Sequence, residues 1–177
     1  ACGSSDKNDK TTGNPFLTEF TTPFGVPPFD KITLADYKPA FLQGMEEQKR
    51  EIEAIVNQRS IPDFENTIAA LDQSGKLLKR VSTVFYGQNS VNTNDEMQAL
   101  SRELSPLLSK HGDDISLNPA LFARVKEVYD NQAKFNLDKE QKKLLEETYK
   151  DFVRGGANLP AKKQEKLREL TVLFPCF

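Results

Sequence analysis

The sequence contains no tryptophan, a single histidine and only two cysteines among 177 residues. Each shortage narrows the chemistry. One imidazole, His111, cannot by itself hold a catalytic metal, because such sites draw on several side-chain ligands. Nothing marks a strained nucleophile beside it, and Ser109 is a chance neighbour on a polar face. Cys2 and Cys176 stand at opposite ends of the chain without CxxC spacing or a nearby histidine, which supports neither a zinc ribbon nor a redox pair. A disulfide between them would need the two termini to meet. No apolar run approaches the ~20 residues of a membrane-spanning helix. An excess of one charge is also missing: Lys+Arg 24 face Asp+Glu 26, for a net charge of -2. Such a balance gives no pull toward nucleic acid. Gly155-Gly156 lacks the context of a phosphate-binding loop.

What is present reads as layered helices. Hydrophobic residues make up 37% and charged residues 28%, which implies a thin core under a large wet surface, with Phe as the main bulky filler. Residues 1–14 read as a flexible polar tether with nothing apolar to bury. Ala1-Cys2-Gly3-Ser4-Ser5-Asp6 resembles the junction after a bacterial lipoprotein signal, with Cys2 as the expected lipidation site. Residues 15–32 form a Pro-rich arm, Pro15, Pro23, Pro27 and Pro28, whose Phe16, Phe20, Phe24 and Phe29 can pin it to a helical surface. Proline disfavours helix here, so an extended strap is expected.

From residue 33 to 174 the apolar period is helical, with a short tail at 175–177. The first helix runs from about Ala35 to Asn57, opened by Thr33 and Asp36 in capping-box spacing, with Tyr37, Phe41, Met45, Gln48, Ile52 and Ile55 on one stripe. The second runs from about Phe64 to Asn89 behind Asp63 as N-cap, with Gly75 in its middle. Asn94 caps a third through Met97, Leu100, Leu104 and Leu108, which Pro106 should kink or end and Gly112 should stop. Asn118-Pro119 starts a fourth, carrying Leu121, Val125, Val128 and Tyr129. Asp138 and Gln141 box a fifth that Gly155-Gly156 ends, and Pro160 opens the last, with Leu167 and Leu170. No stretch alternates with period two, so the expected fold is all-α: about six helices packed as antiparallel hairpins.

The residues themselves nominate no catalytic, cofactor-binding or metal-binding set. His111 with Asp113 and Asp114 reads as a solvated helix end, where a histidine complements the negative pole of the helix. Glu46, Glu47 and Asp72 read as solvated carboxylates. Lys162, Lys163, Lys166 and Arg168 alternate with Gln164, Glu165 and Glu169, as on a wet helix face.

A set of strings in fixed order adds a resemblance. They include Asn14-Pro15-Phe16, Pro27-Pro28-Phe29-Asp30-Lys31-Ile32, Asp36-Tyr37-Lys38-Pro39-Ala40-Phe41, Phe64-Glu65-Asn66-Thr67-Ile68, Leu117-Asn118-Pro119, Leu121-Phe122-Ala123-Arg124-Val125 and Gly156-Ala157-Asn158-Leu159. Together they are similar to the front section of bacterial peptidyl-dipeptidases, relatives of oligopeptidase A and thimet oligopeptidase. The resemblance implies one section of a long helical zinc peptidase that takes short peptides. Its zinc is held by a His-Glu-x-x-His helix and a later Glu in the second half. No such motif stands here, since His111 is followed by Gly112.

The expectation is therefore a non-catalytic N-terminal helical domain, or a truncated remnant, of such an enzyme. It would be inactive alone and without zinc of its own. The alternative is a stand-alone, lipid-anchored interaction module. Expected partners are short peptides, a second copy of the chain through its final helix and the 174–177 tail, and a membrane through lipidated Cys2, but not nucleic acid. The expected location is the periplasm or cell envelope, or otherwise secreted or cytoplasmic.

Overall fold

The computed structural model describes residues 13–21, 25–91 and 94–173. Cys2, Cys176 and the tail at 174–177 lie outside them. Among the described residues there is no strand, and six helices have 12 residues or more. They are α1 (Leu34–Val56), α3 (Lys76–Val91), α4 (Asp95–Ser116), α5 (Pro119–Asp130), α6 (Lys139–Arg154) and α7 (Ala161–Leu173), with a short α2 (Ala70–Gln73) before α3. None of the described helices is long and apolar enough to cross a membrane.

The helix starts follow from local chemistry. Thr33 donates its backbone N–H and its hydroxyl to the Asp36 carboxylate at 2.8 and 2.7 Å, and Pro39 falls in the first turns of α1. Asn94 accepts from the Met97 N–H, Asn118 from Ala120 and Leu121, and Asp138 from Gln141, so N–H groups that lack a partner inside the helix find one.

The second helix departs from its expected form. Phe64–Ala69 winds as a π-helix, with the Ala70 N–H reaching back to the Glu65 carbonyl, and α2 then ends at Gln73. Gly75 adopts φ 69°, so it breaks the helix instead of riding inside it. A Cβ here would stand 2.5 Å from the Gln48 side chain, a second reason for glycine.

The third helix departs the other way. It runs unbroken through Pro106 and Gly112 to Ser116. A mid-helix proline costs about 3 kcal/mol. Pro106 and Arg102, whose carbonyl loses its usual donor, are both exposed, so this stretch of the helix faces solvent and not the core. Leu104 before the proline and Leu117 at the helix end are buried, and their burial keeps the helix winding.

Packing divides the interior in two. The first cluster joins Phe16 of the arm to Tyr37, Ala40 and Phe41 of α1, Val81 and Phe85 of α3, and Leu104 of α4. Phe85 meets Tyr37 and Phe41 edge-on at 5.1 and 5.5 Å. Gly44 lets α1 press against α3, since a Cβ would lie 2.9 Å from the Leu78 backbone. The second cluster joins Ile52 and Ile55 of α1 to Phe64 and Ile68, then Leu121, Val125 and Val128 of α5 and Leu145 and Phe152 of α6. Contacts fix the directions: Tyr37 and Gln48 meet Gln88 and Ser74, so α1 and α3 are antiparallel, whereas Lys38–Glu103 and Gln48–His111 make α1 and α4 parallel.

The arm is extended but anchored. Asn14 is buried, caps the turn Pro15–Leu17 and donates to the Asp36 carbonyl at 2.8 Å. Arg80 donates to the Phe16 and Thr18 carbonyls and sits over the Phe20 ring at 5.6 Å.

Candidate functional site

Between the two clusters lies a polar layer, built from one stretch of each of three helical elements. On α1 the buried stripe passes from Phe41 to Ile52 through Gln48. On α4 it passes from Leu108 to Ile115 through His111. Between α2 and α3 the chain breaks at Ser74-Gly75, with Leu71 on one side and Leu77 on the other. Gln48 ties the layer together. Its amide nitrogen donates to Ser74 Oγ at 3.3 Å, and Ser74 in turn donates to the Leu71 carbonyl at 2.7 Å. The Gln48 oxygen therefore faces His111 Nε2 at 2.8 Å and accepts its proton. That fixes the neutral tautomer: Nε2 carries the hydrogen, and Nδ1 is left as the site for a second proton. Glu51, one turn on, accepts the Gly75 N–H at 2.7 Å.

His111 is thus half-buried in a joint, which corrects its reading as a solvated helix end. Burial pushes its pKa below 6.5, with the Asp114 charge acting upward and Lys110 downward. Asp114 is itself engaged. Burial pushes its carboxyl up, but hydrogen bonds from Lys110 and Arg168 outweigh that and bring it below its ordinary value. Burial raises the neighbouring Asp113. Arg168 reaches Asp114 from α7, so one member of the basic run does more than face water, while Lys162, Lys163 and Lys166 are exposed.

Two recesses open on either side of the imidazole. One, of about 550 Å³, lies over α1 and α4 with Leu42, Met45, Ile52, Leu107 and Ile115 in its floor and Lys49, Glu53 and Lys110 on its rim. The other, of about 370 Å³, is walled by Leu71, Leu78, Leu108, Ile115 and Phe152, with Asp151 at its edge. A larger recess of about 620 Å³ lies where the arm meets α3 and α4, but its walls, among them Phe29, Ile32, Val84, Val91 and Met97, are mostly apolar and offer little chemistry.

The arrangement can hold or release one proton at Nδ1. Among the described residues His111 hydrogen-bonds no Ser or Cys nucleophile, and no three His, Cys, Asp or Glu side chains gather to hold a metal ion. One imidazole and an aspartate already bound by Lys110 and Arg168 do not fit a zinc site. Of the carboxylates read as solvated, Glu46 sits near Arg50 and Glu47 accepts from Gln43.

The sequence reading assigned no role to two residues. Gln48 was visible as the single polar member of the α1 stripe. Arg124 stands among Leu121, Val125 and Val128 on the buried face of α5 and is 8% exposed. It donates to the Gln58 and Ser60 carbonyls and to Asn66 Oδ1, while its Nε has no partner. A charged residue at a buried helical period was the signal.

No family model matches the chain. Dipeptidyl carboxypeptidase of Escherichia coli is 44% identical over 160 residues, covering 90% of this chain and 24% of the relative. The Salmonella typhimurium dipeptidyl carboxypeptidase is 42% identical, over 89% of this chain and 23% of the relative. Oligopeptidase A of Escherichia coli is 27% identical over 89% of this chain and 22% of its own length. The chain therefore spans about a quarter of the length of the curated relatives it matches. Order, extent and identity agree: the chain is homologous to the N-terminal quarter of dipeptidyl carboxypeptidase and oligopeptidase A.

Proposed function

We propose that these 177 residues serve as the N-terminal helical module of a dipeptidyl carboxypeptidase-type zinc peptidase, contributing scaffold and not the metal chemistry. The observation that carries this reading is the 44% identity spread over 90% of the chain yet confined to 24% of the relative. It is supported by the single histidine, since hydrolysis by a zinc-bound water needs several protein ligands on one ion. Grafting supplies the test. The corresponding quarter of the Escherichia coli dipeptidyl carboxypeptidase is replaced by this chain, and dipeptide release from a short peptide is measured. The chimera should keep activity within about tenfold, a barrier change of ~1.4 kcal/mol. The isolated chain with added zinc should release none. A folded but inactive chimera, or turnover by the isolated chain, overturns the reading.

Exposed Leu159 and Leu170, before and within α7, favour a second reading in which this end joins a second copy. Light scattering should then show a concentration-dependent mass that Leu170→Glu reduces to the monomer; a monomer throughout rejects it.

A further inference from the structure

The polar layer separates two apolar clusters at the same level on three helical elements, and its only titratable ring is flanked by a recess on each side. We propose that this layer is an acid-released joint, in which a proton on His111 Nδ1 loosens the second half of α4 and the α2–α3 break from α1.

The bond from Nε2–H to Gln48 survives protonation, because Nε2 donates in both states. What changes is charge. An imidazolium would sit between Leu108 and Ile115, one turn from each, in a slot whose walls include Leu71, Leu78 and Phe152. A charge there needs water or a free anion. The nearest anion is committed, since Asp114 already accepts from Lys110 and Arg168. Other charged groups face the slot from each packed element. Glu46, Lys49 and Glu53 of α1 and Lys110 of α4 line the larger recess on one side of the ring, and Asp151 of α6 lines the smaller one on the other; Asp113 lines neither, and Glu51 is occupied by the Gly75 N–H. Lys49 and Lys110 oppose the new charge, while Glu46, Glu53 and Asp151 lie at the rims, where solvent screens them. Water entering from the two recesses is the remaining way to solvate the ring, and it parts the elements that the neutral ring holds.

The weak point is already built. Gly75 breaks the helix at this level, and from α1 Gln48 and Glu51 hold the break by hydrogen bonds to Ser74 and to the Gly75 N–H. The sign follows. A histidine pKa depressed by folding favours the neutral folded form. The joint's contribution is complete above about pH 6.5 and is lost as pH falls through the lower folded-state value.

Because His111 is the only histidine, its ring resonances report without ambiguity. Nitrogen-15 spectra of the full chain should show the Nε2–H tautomer at pH 7.5 and a midpoint below 6.5. Amide protection, corrected for intrinsic exchange rates, should fall between pH 7.5 and 5.5, by at most about tenfold, at residues 74–80 and 108–116, but not in α5 and α6. His111→Gln keeps a donor and removes the titration, so its protection at those residues should not vary with pH. If that variant does not fold, His111→Asn serves the same comparison. A midpoint at or above the ordinary histidine value, uniform loss across all helices, or the same pH response without the imidazole each overturns the proposal.

Discussion

The two halves of the interior are built differently. The half nearer the amino terminus is a cluster of rings: Phe16, Tyr37, Phe41 and Phe85 touch one another in tilted and edge-on pairs. The half nearer the carboxyl terminus is largely aliphatic, with Ile52, Ile55, Ile68, Leu121, Val125, Val128 and Leu145 at its centre. Its rings sit mainly at the rim, where Phe122, Tyr149 and Tyr129 stack along α5 and α6. The difference follows from what each half must cover. The aromatic half closes over an irregular arm, and broad flat rings can seal an extended chain against a helix. The aliphatic half packs helix on helix, where branched side chains interlock at helical spacing. Its irregular piece, the loop between α1 and the π-helix, is held by a buried guanidinium instead.

The largest expected effects test whether the halves are one cooperative unit. Phe85→Ala should cost about 3–5 kcal/mol and Leu121→Ala about 2–5 kcal/mol, because each empties a fully buried site ringed by rigid neighbours. In urea both should shift one shared transition, with tyrosine fluorescence and helical circular dichroism coinciding. Two separated transitions after Phe85→Ala alone would mean the polar layer uncouples the halves even at neutral pH.

Arg124→Met should come next. It leaves the Gln58 and Ser60 carbonyls and part of Asn66 without their donor, a loss of about 1–3 kcal/mol. Arg124→Lys should recover little, since an ammonium cannot fork to three acceptors from one position. The Met side chain fills most of the space and removes the unpartnered Nε, so a neutral or stabilising result in urea melts would show that the guanidinium holds the loop without net gain.

Asn14→Ala probes the arm in the same way, on a smaller scale. It removes the cap on Pro15–Leu17 and the bond to the Asp36 carbonyl, for about 1 kcal/mol. Proteolysis in the arm should quicken while α5 and α6 stay protected.

What the sequence could show divides along the same physical line. Caps were legible because their chemistry spans four residues: Asn94 with Met97, Asn118 with Leu121, Asp138 with Gln141. The breaks were not. Pro106 and Gly112 carry strong local signals, yet α4 runs through both because Leu104 and Leu117 are buried against other helices. Gly75 stood in the middle of an expected helix, and only its φ of 69°, with Ser74 and the Gly75 N–H held by Gln48 and Glu51 from another helix, shows that the chain breaks there. His111 followed the same rule. Its sequence neighbours, Lys110, Gly112 and Asp113, are polar or small, while its partner Gln48 is 63 residues away. The joint could have been suspected only by asking why a stripe of rings and aliphatics admits one amide.

The smallest expected effect sets the scale for the rest. Arg50 and Glu46 form an exposed i,i+4 pair at 3.4 Å on the outer face of α1, beside the layer but outside it. Exposed pairs of this kind contribute about 0.2–1 kcal/mol, and those within one helix lie near the low end. Glu46→Gln should therefore change the unfolding free energy measured in urea by no more than a few tenths of a kcal/mol. Glu46 also lines the larger of the two recesses beside His111. If the joint opens for want of water around a charged ring, a rim carboxylate that solvent already screens should leave the His111 midpoint where it is. A clear downward move of that midpoint in Glu46→Gln would show that the rim reaches the imidazole, and that charge at the mouth of the recess, more than burial within it, governs the joint.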